Sequence, residues 1–173
     1  MLEISNLVKS YAGEKSSKGA HDSRVFAVKN VNFNVEPGEM FTLLGPSGCG
    51  KTTTLRSIAG LEKPDAGRIA VKGRTLFAAG QGVKSVNVPA NRRGLGMVFQ
   101  SYAIWPHMSV FDNVAFPLQV KPRSERLGKA EIEQRVHRVL EVMELRPYAE
   151  RQATKLSGGQ QQRLALARAL VIE

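Results

Sequence analysis

A glycine-rich loop that ends in lysine and threonine constrains this chain more than any other feature. Gly45, Gly50, Lys51 and Thr52 fit the pattern G-x-x-x-x-G-K-[ST]. Because glycines let the backbone curl, successive N–H groups can point at phosphate oxygens, and the dipole of a following helix adds positive potential. The pattern therefore predicts a phosphate site, with the Lys51 amine at the β and γ phosphates and the Thr52 hydroxyl at Mg²⁺.

The neighbouring sequence supplies the context that this loop requires. The apolar residues 40–44 predict a strand buried on both faces, and residues 53–59 predict a helix. The competing interpretation is an ordinary glycine turn with a solvated lysine, but the strand and the helix favour the phosphate site. The residues expected to line it are Gly45, Pro46, Ser47, Gly48, Cys49, Gly50, Lys51, Thr52 and Thr53.

Composition sets broad limits on the function. The 173 residues suffice for one domain core, and 25 Lys and Arg against 15 Asp and Glu give a net charge of +10. That charge favours an anionic partner, such as a nucleotide, a nucleic acid or an acidic lipid surface, without choosing among them. The single cysteine, Cys49, excludes an internal disulfide and indicates a reducing compartment, the cytoplasm. Because no run of about 18 apolar residues occurs, we expect any membrane association to go through a partner.

Short β-rich runs separated by turn residues predict a first half made mainly of strands. The expected strands are residues 2–8, 26–35, 40–44, 68–71 and 95–99. The polar, glycine-bearing residues 12–25 show no periodicity, and we expect them to form a mobile surface loop.

The later part of the chain has the periodicity of helices. Residues 129–145 carry one apolar stripe, which predicts an amphipathic helix closed by Pro147. The stripe consists of Ile132, Val136, Val139, Leu140 and Met143. A last helix is expected to begin after Ser157, with Leu164, Ala167 and Val171 on one face.

A second glycine pair opens that last helix. Leu156 follows Lys51 by 105 residues and begins the string Leu156, Ser157, Gly158, Gly159 and Gln160. Ser157 is a natural N-cap, and the two glycines leave backbone N–H groups unobstructed, which is typical of an anion site. The alternative is simply a capped helix start.

Three motifs in this order resemble those of the ATP-binding cassette (ABC) transporter ATPases. The loop from Gly45 to Thr52 resembles Walker A, Phe99-Gln100-Ser101-Tyr102 resembles the Q-loop, and Leu156 to Gln160 resembles the signature motif. The resemblance covers essentially the whole chain. It implies an α/β P-loop NTPase of the ABC type, with a mixed β core, an antiparallel β subdomain and an inserted helical subdomain.

The resemblance also implies a division of the chain. Residues 1–99 would form the β-rich nucleotide-binding core with the phosphate loop. Residues 100–160 would form the Q-loop and the helical subdomain that ends in the signature motif, and residues 161–173 a helix returning to the core.

In this family two cassettes pack head to tail, with ATP between the phosphate loop of one and the signature of the other. Leu156, Ser157, Gly158, Gly159 and Gln160 would then form the contact across the interface, with Ser157 and Gly159 at the γ-phosphate. Gln100 would reach Mg²⁺ or the attacking water, while its loop meets the transmembrane partner. Tyr11 resembles the aromatic residue that stacks on adenine, although an ordinary core or surface tyrosine is the competing interpretation.

Residues 100–114 are similar to the segment after the Q-loop in ATPases of bacterial uptake systems for ferric iron, polyamines and sugars. Trp105, His107 and Met108 are candidates for contact with a permease helix, or for packing around the helical subdomain. The resemblance implies the ATP-binding subunit of an importer, with ATP and Mg²⁺ as cofactors. Its expected place is the cytoplasmic face of the cell membrane, bound peripherally through the permease.

The expected partners are a second copy of the cassette, transmembrane permease subunits and, indirectly, a solute-binding protein, without direct nucleic-acid contact. The alternative is a soluble ABC ATPase acting on nucleic acid or ribosomes, which the net charge of +10 would suit. A third possibility is a catalytically silent nucleotide-binding module. The transported substrate is not encoded in these residues.

Acids that could organise Mg²⁺ and activate water do not follow the signature helix. Asp22, Asp65 and Asp112 all precede it, and neither Glu150 nor Glu173 ends an apolar strand. The Walker B acid, the catalytic glutamate and the switch histidine of the family are therefore not assigned, and the histidines are scattered: His21, His107 and His137. We expect the N-terminal part of a cassette without its C-terminal core strands, inactive and poorly stable by itself.

Overall fold

An antiparallel sheet organises the N-terminal part of the chain. The computed structural model describes residues 1–13 and 24–172, and the chain divides after Leu95 into two units. Within the described residues, the first unit contains a five-stranded sheet in the order β2-β1-β3-β4-β5. The strands are β1 Leu2–Ala12, β2 Arg24–Val35, β3 Ala66–Val71, β4 Arg74–Ala79 and β5 Val86–Asn87.

Apolar residues from the first four strands of this sheet form the core of the first unit. In the register of the sheet, Ile4 of β1 lies opposite Phe33 of β2 and Ile69 of β3. The buried members of the core are Ile4, Leu7, Val28, Ile69, Leu76 and Phe77. The predicted helix after the phosphate loop is confirmed as α1 Lys51–Ala59.

The strands around the predicted surface loop are longer than expected. β1 continues to Ala12 and β2 starts at Arg24, and these two residues pair with each other, as do Tyr11 and Val25. The ends of the predicted loop are therefore strand, because cross-strand hydrogen bonds hold polar residues there as well as apolar ones. Residues 14–23 of the predicted loop, which include His21 and Asp22, lie outside the described residues.

Two of the predicted strands are wrong. Residues 40–44 and 95–99 have no regular structure, and Met40 and Leu44 are 93% and 95% exposed. An apolar run becomes a buried strand only where neighbours accept and donate its backbone hydrogen bonds, and none of the described strands pairs with either run. Phe41 instead stacks its ring on Phe33, with the centroids 4.7 Å apart.

Among the described residues, three α-helices organise the second unit, which begins at Gly96. They are α2 Val110–Gln119, α3 Lys129–Val142 and α4 Gly158–Leu170. Their apolar faces enclose a core whose fully buried members include Val110, Val114, Leu118, Val136, Leu140, Leu145 and Leu164. No helix in the described parts of the chain is both long and apolar enough to cross a bilayer.

The predicted apolar stripes of α3 and α4 are confirmed. Ile132, Val136 and Leu140 are buried, and Val139 and Met143 pack partly buried against the same core. Leu164, Ala167 and Val171 are buried as well. The first of these helices ends at Val142, three residues before the predicted end, because the backbone turns left-handed at Glu144 with φ of 55°.

Candidate functional sites

The first turn of α1 presents backbone donors that lack partners inside the helix. Gly50 is the N-cap residue, and no described side chain caps this end of the helix. The Thr54 N–H donates to the Gly50 carbonyl over 2.8 Å, whereas the N–H groups of the first three helical residues have no acceptor in the preceding turn. An uncapped helix start of this kind attracts anions.

Gly50 holds the loop in a conformation that other residues do not adopt. Its φ is +93°, and a Cβ atom built on it would lie 2.1 Å from the carbonyl oxygen of Ala27 in β2. The left-handed backbone and the close approach both require glycine. The loop is thereby seated against the sheet of the first unit.

The Lys51 amine bends back over the loop. Its Nζ donates to the carbonyl oxygens of Gly45 over 2.6 Å and Pro46 over 2.7 Å, and it lies 3.5 Å from the Sγ of Cys49. These partners are uncharged, so they orient the amine without neutralising its charge. Pro46, Ser47, Gly48, Cys49 and Thr52 are exposed around it, and Thr53 is half-buried. A charged amine above an exposed loop is what an incoming phosphate requires.

A buried arginine fixes the opposite end of α1. Arg93 is 5% exposed, and its Nη1 donates to the carbonyl oxygens of Ser57 and Ile58, each over 2.8 Å. A cation at the C-terminal end of a helix stabilises the free carbonyls there. Burial lowers the pKa of Arg93 from its ordinary value. No pattern in the sequence marks Arg93, because it lies 36 residues from its partner Ser57.

Tyr11 lies on the surface near the end of β1. The residue is 42% exposed, and the Lys9 Nζ is 5.0 Å from the centroid of its ring. The interpretation of Tyr11 as a core residue is therefore wrong. An exposed ring remains suited to stacking on a nucleotide base.

The signature segment forms a capped helix start with open glycines. The Ser157 Oγ accepts from the Gln160 N–H over 3.4 Å, and the Gln160 Oε1 accepts from the Ser157 N–H over 2.9 Å. This reciprocal pair is a capping box. A Cβ atom on Gly158 or Gly159 would meet nothing within 4 Å, whereas Leu156 is buried. The segment thus combines a rigid anchor with two unobstructed glycines.

Gln100 precedes a loop with an unusual backbone. Gln100 is exposed, and shortly after it Tyr102 and Ala103 have φ of 61° and 46°. The Tyr102 N–H donates to the Phe99 carbonyl over 3.0 Å, and Arg168 of α4 donates to the Ala103 carbonyl. Left-handed backbone at residues with side chains is strained and is frequent at functional loops.

Trp105 packs inside the second unit, and His107 does not. The Trp105 ring lies 4.5 Å from that of Phe116, centroid to centroid, and the guanidinium carbon of Arg168 is 3.7 Å from the Trp105 ring centroid. His107 is exposed and Met108 is half-buried. Burial lowers the pKa of Arg168 from its ordinary value. Of the three candidates for permease contact, the exposed His107 is the most accessible.

Within residues 1–13 and 24–172, no group of three or more His, Cys, Asp or Glu side chains could hold a metal ion. The two residues expected at Mg²⁺, Thr52 and Gln100, are both exposed and belong to different units. Their hydroxyl and amide oxygens are hard ligands of the type that Mg²⁺ accepts alongside phosphate oxygens.

The glycine loop, its uncapped helix and the charged amine above it define a P-loop protein. The chain belongs to the ABC transporter family, whose model matches residues 28–173. This confirms the family predicted from the three motifs.

Relatives of this chain include import ATP-binding proteins. The spermidine/putrescine import ATP-binding protein PotA of Trichodesmium erythraeum is 51% identical over 145 residues, which cover 84% of this chain and 35% of that protein. The sulfate/thiosulfate import ATP-binding protein CysA of Pseudomonas aeruginosa is 45% identical over 172 residues, 99% of this chain and 46% of that protein. The chain thus spans less than half the length of these relatives.

Solved structures confirm the predicted fold class. The dimeric ABC transporter cassette MJ0796 matches with a TM-score of 0.79 and 33% sequence identity, over 99% of this chain and 69% of that one. A dimeric post-hydrolysis state of MJ0796, bound to ADP and Pi, matches with a TM-score of 0.77 and 32% identity. The fold is the α/β P-loop fold of ABC cassettes, with an antiparallel sheet and a helical unit.

Proposed function

We propose that this chain is the ATP-binding part of an ABC importer, in which ATP binding and hydrolysis drive a solute through a membrane permease. The observation that carries the proposal is the phosphate loop, where two backbone carbonyls hold the Lys51 amine beside the uncapped start of α1. The names of the relatives support the importer class.

Residues 45–53 bind the phosphates, with the Lys51 amine at the β and γ groups. Turning the amine from the Gly45 and Pro46 carbonyls toward phosphate exchanges neutral acceptors for charged ones, and hydrogen bonds to charged acceptors are the stronger kind. Tyr11 supplies a stacking surface for the adenine. When Mg²⁺ is bound with ATP, the Thr52 hydroxyl and the Gln100 amide oxygen would supply ligands for it, and its charge would offset that of the phosphates.

The signature segment binds the nucleotide held by a second copy. Leu156, Ser157, Gly158, Gly159 and Gln160 provide the contact, and the open space around both glycines leaves room for a phosphate. The dimeric state of the MJ0796 cassettes supports this arrangement. Each composite site therefore takes its phosphate cradle from one copy and its γ-phosphate contact from the other.

The Gln100 loop and the exposed His107 contact the permease at the cytoplasmic face of the membrane. A solute-binding protein acts on the outer side, without touching this chain. The relatives are named for polyamine import and for sulfate import, and nothing in the cassette residues selects one solute. The nucleic-acid alternative is not favoured, because it rests on net charge alone.

Affinity purification of the tagged, intact protein from detergent-solubilised membranes tests the importer class. We expect a multi-span membrane protein to co-purify in stoichiometric amount and to be retained at high salt. A Lys84→Ala variant, altered at an exposed loop lysine, serves as the control and should behave as the wild type. Recovery of nucleic acid that salt displaces, with no membrane protein, would contradict the importer and favour the alternative.

A further inference from the structure

The end of β1 that carries Tyr11 extends past the start of its neighbour β3. Ala66, the first residue of β3, pairs with Val8. Residues 9–12 therefore pair with β2 along one edge, whereas their other edge has no β3 residue to pair with. An exposed strand edge leaves backbone N–H groups without ladder partners.

Beyond the last β3 pair, Asp65 supplies the hydrogen-bond acceptor for this edge of β1. Its Oδ2 accepts from both the Ser10 N–H over 2.6 Å and the Ser10 Oγ over 2.7 Å. Its own N–H donates to the Val8 carbonyl over 2.8 Å. Asp65 thus hydrogen-bonds to β1 at Val8 and at Ser10, the residue directly before Tyr11.

Lys9 makes a second contact between β1 and the segment that leads into β3. Its Nζ donates to the Lys63 carbonyl over 3.0 Å and lies 3.1 Å from the Glu62 carboxylate, while passing 5.0 Å from the centroid of the Tyr11 ring. The segment that leads into β3 therefore contacts the two residues that precede Tyr11. Its contacts restrain the backbone from which the aromatic ring projects.

Charge favours this arrangement at neutral pH. Desolvation acts to raise the pKa of Asp65, but the two hydrogen bonds from Ser10 and the positive charges of Lys9 and Arg24 outweigh it and lower the pKa below its ordinary value. Asp65 is therefore a carboxylate, which only accepts hydrogen bonds. Ser10, its partner, is 8% exposed.

We propose that Asp65 is a positioning residue that holds Tyr11 in place for base stacking by fixing Ser10. The inference rests on the proposed function, because it assumes that Tyr11 stacks on adenine. Asp65 itself touches no nucleotide. Stacking yields its full affinity only when the ring is held in its bound orientation beforehand, because ordering it on binding costs free energy.

The test compares ATP with inorganic tripolyphosphate, which offers phosphates and no base, by calorimetry on the intact protein. We expect Asp65→Ala to weaken ATP binding about fivefold, the lower range of one base stack, and to leave tripolyphosphate binding unchanged. Asp65→Asn keeps an acceptor oxygen for Ser10 and should restore most of the ATP affinity. Glu3→Ala breaks another β1–β3 contact, the 2.9 Å ion pair with Arg68, and should change neither affinity.

Suppose first that Tyr11→Ala weakens ATP binding. The positioning role of Asp65 is then overturned if Asp65→Ala binds ATP as tightly as the wild type, or if it loses equal affinity for ATP and tripolyphosphate. If the wild type binds neither ligand, the proposed nucleotide site itself fails. If the wild type binds ATP but Tyr11→Ala leaves that affinity unchanged, the phosphate site stands, whereas the stacking role of Tyr11 and this inference both fail.

Discussion

Replacing Lys51 by alanine is expected to weaken ATP binding on the order of a hundredfold, because the variant loses charged hydrogen bonds to two phosphates. In the structure the amine is already held above the loop by the Gly45 and Pro46 carbonyls, so little ordering of its side chain is needed on binding. Calorimetric titration of ATP into the intact protein measures the loss.

The Lys84→Ala variant is the matched control, since it removes the same charge from an exposed position in the same unit. Its affinity should equal that of the wild type. A comparable loss in both variants would mean that net charge, and not the Lys51 amine, holds the nucleotide.

Replacing Gly50 by alanine is expected to distort the phosphate loop and abolish measurable ATP binding. The left-handed φ of +93° alone disfavours alanine by about 1–3 kcal/mol. The added Cβ would also lie 2.1 Å from the Ala27 carbonyl, and that backbone belongs to β2, which is paired with β1. We therefore expect a lower thermal midpoint together with the lost affinity.

The Gly48→Ala variant separates the two causes. Gly48 has a similar φ of +82°, but a Cβ atom there would meet nothing within 4 Å. It should show the backbone penalty without the clash, and hence a smaller loss of stability. Equal losses in the two variants would show that the close approach to Ala27 does not matter.

Elements with a strong local pattern could be predicted from the sequence. The apolar stripe of α3 and the Ser157 cap of α4 depend on residues within a few positions of one another, and both are present. The hairpin of β3 and β4 was missed in part. Its turn consists of Lys72 and Gly73, whose φ values of 49° and 77° are both left-handed, as is typical of two-residue hairpin turns. Gly73 alone was too weak a turn signal to predict β4 after it.

Elements that depend on distant partners could not be predicted. Residues 40–44 have a composition typical of a central strand, yet they are not strand, because pairing decides strand formation and composition does not name the partner. The same applies to residues 95–99.

The candidate sites divide in the same way. The phosphate loop and the Ser157 cap are local patterns. The spacing of the glycines and Lys51 predicts a phosphate site, whereas the signature interpretation of residues 156–160 comes from the resemblance to the ABC ATPases. The contact of Asp65 with Ser10 joins residues 55 apart, and that of Arg168 with Ala103 joins residues 65 apart. No periodicity or motif spacing marks such pairs, so only the fold shows that these residues are in contact.

Thiol cross-linking tests most directly whether two copies share each nucleotide. Cys49, the only cysteine, is exposed in the phosphate loop, and Ser157→Cys places a second thiol in the signature segment. With a non-hydrolysable ATP analogue and a short bifunctional thiol reagent, we expect a covalent dimer of the Ser157→Cys protein. The dimer should be absent without nucleotide, and absent when Cys49→Ser is added. A dimer that forms equally without nucleotide or without Cys49, or no dimer with both present, would contradict the shared site.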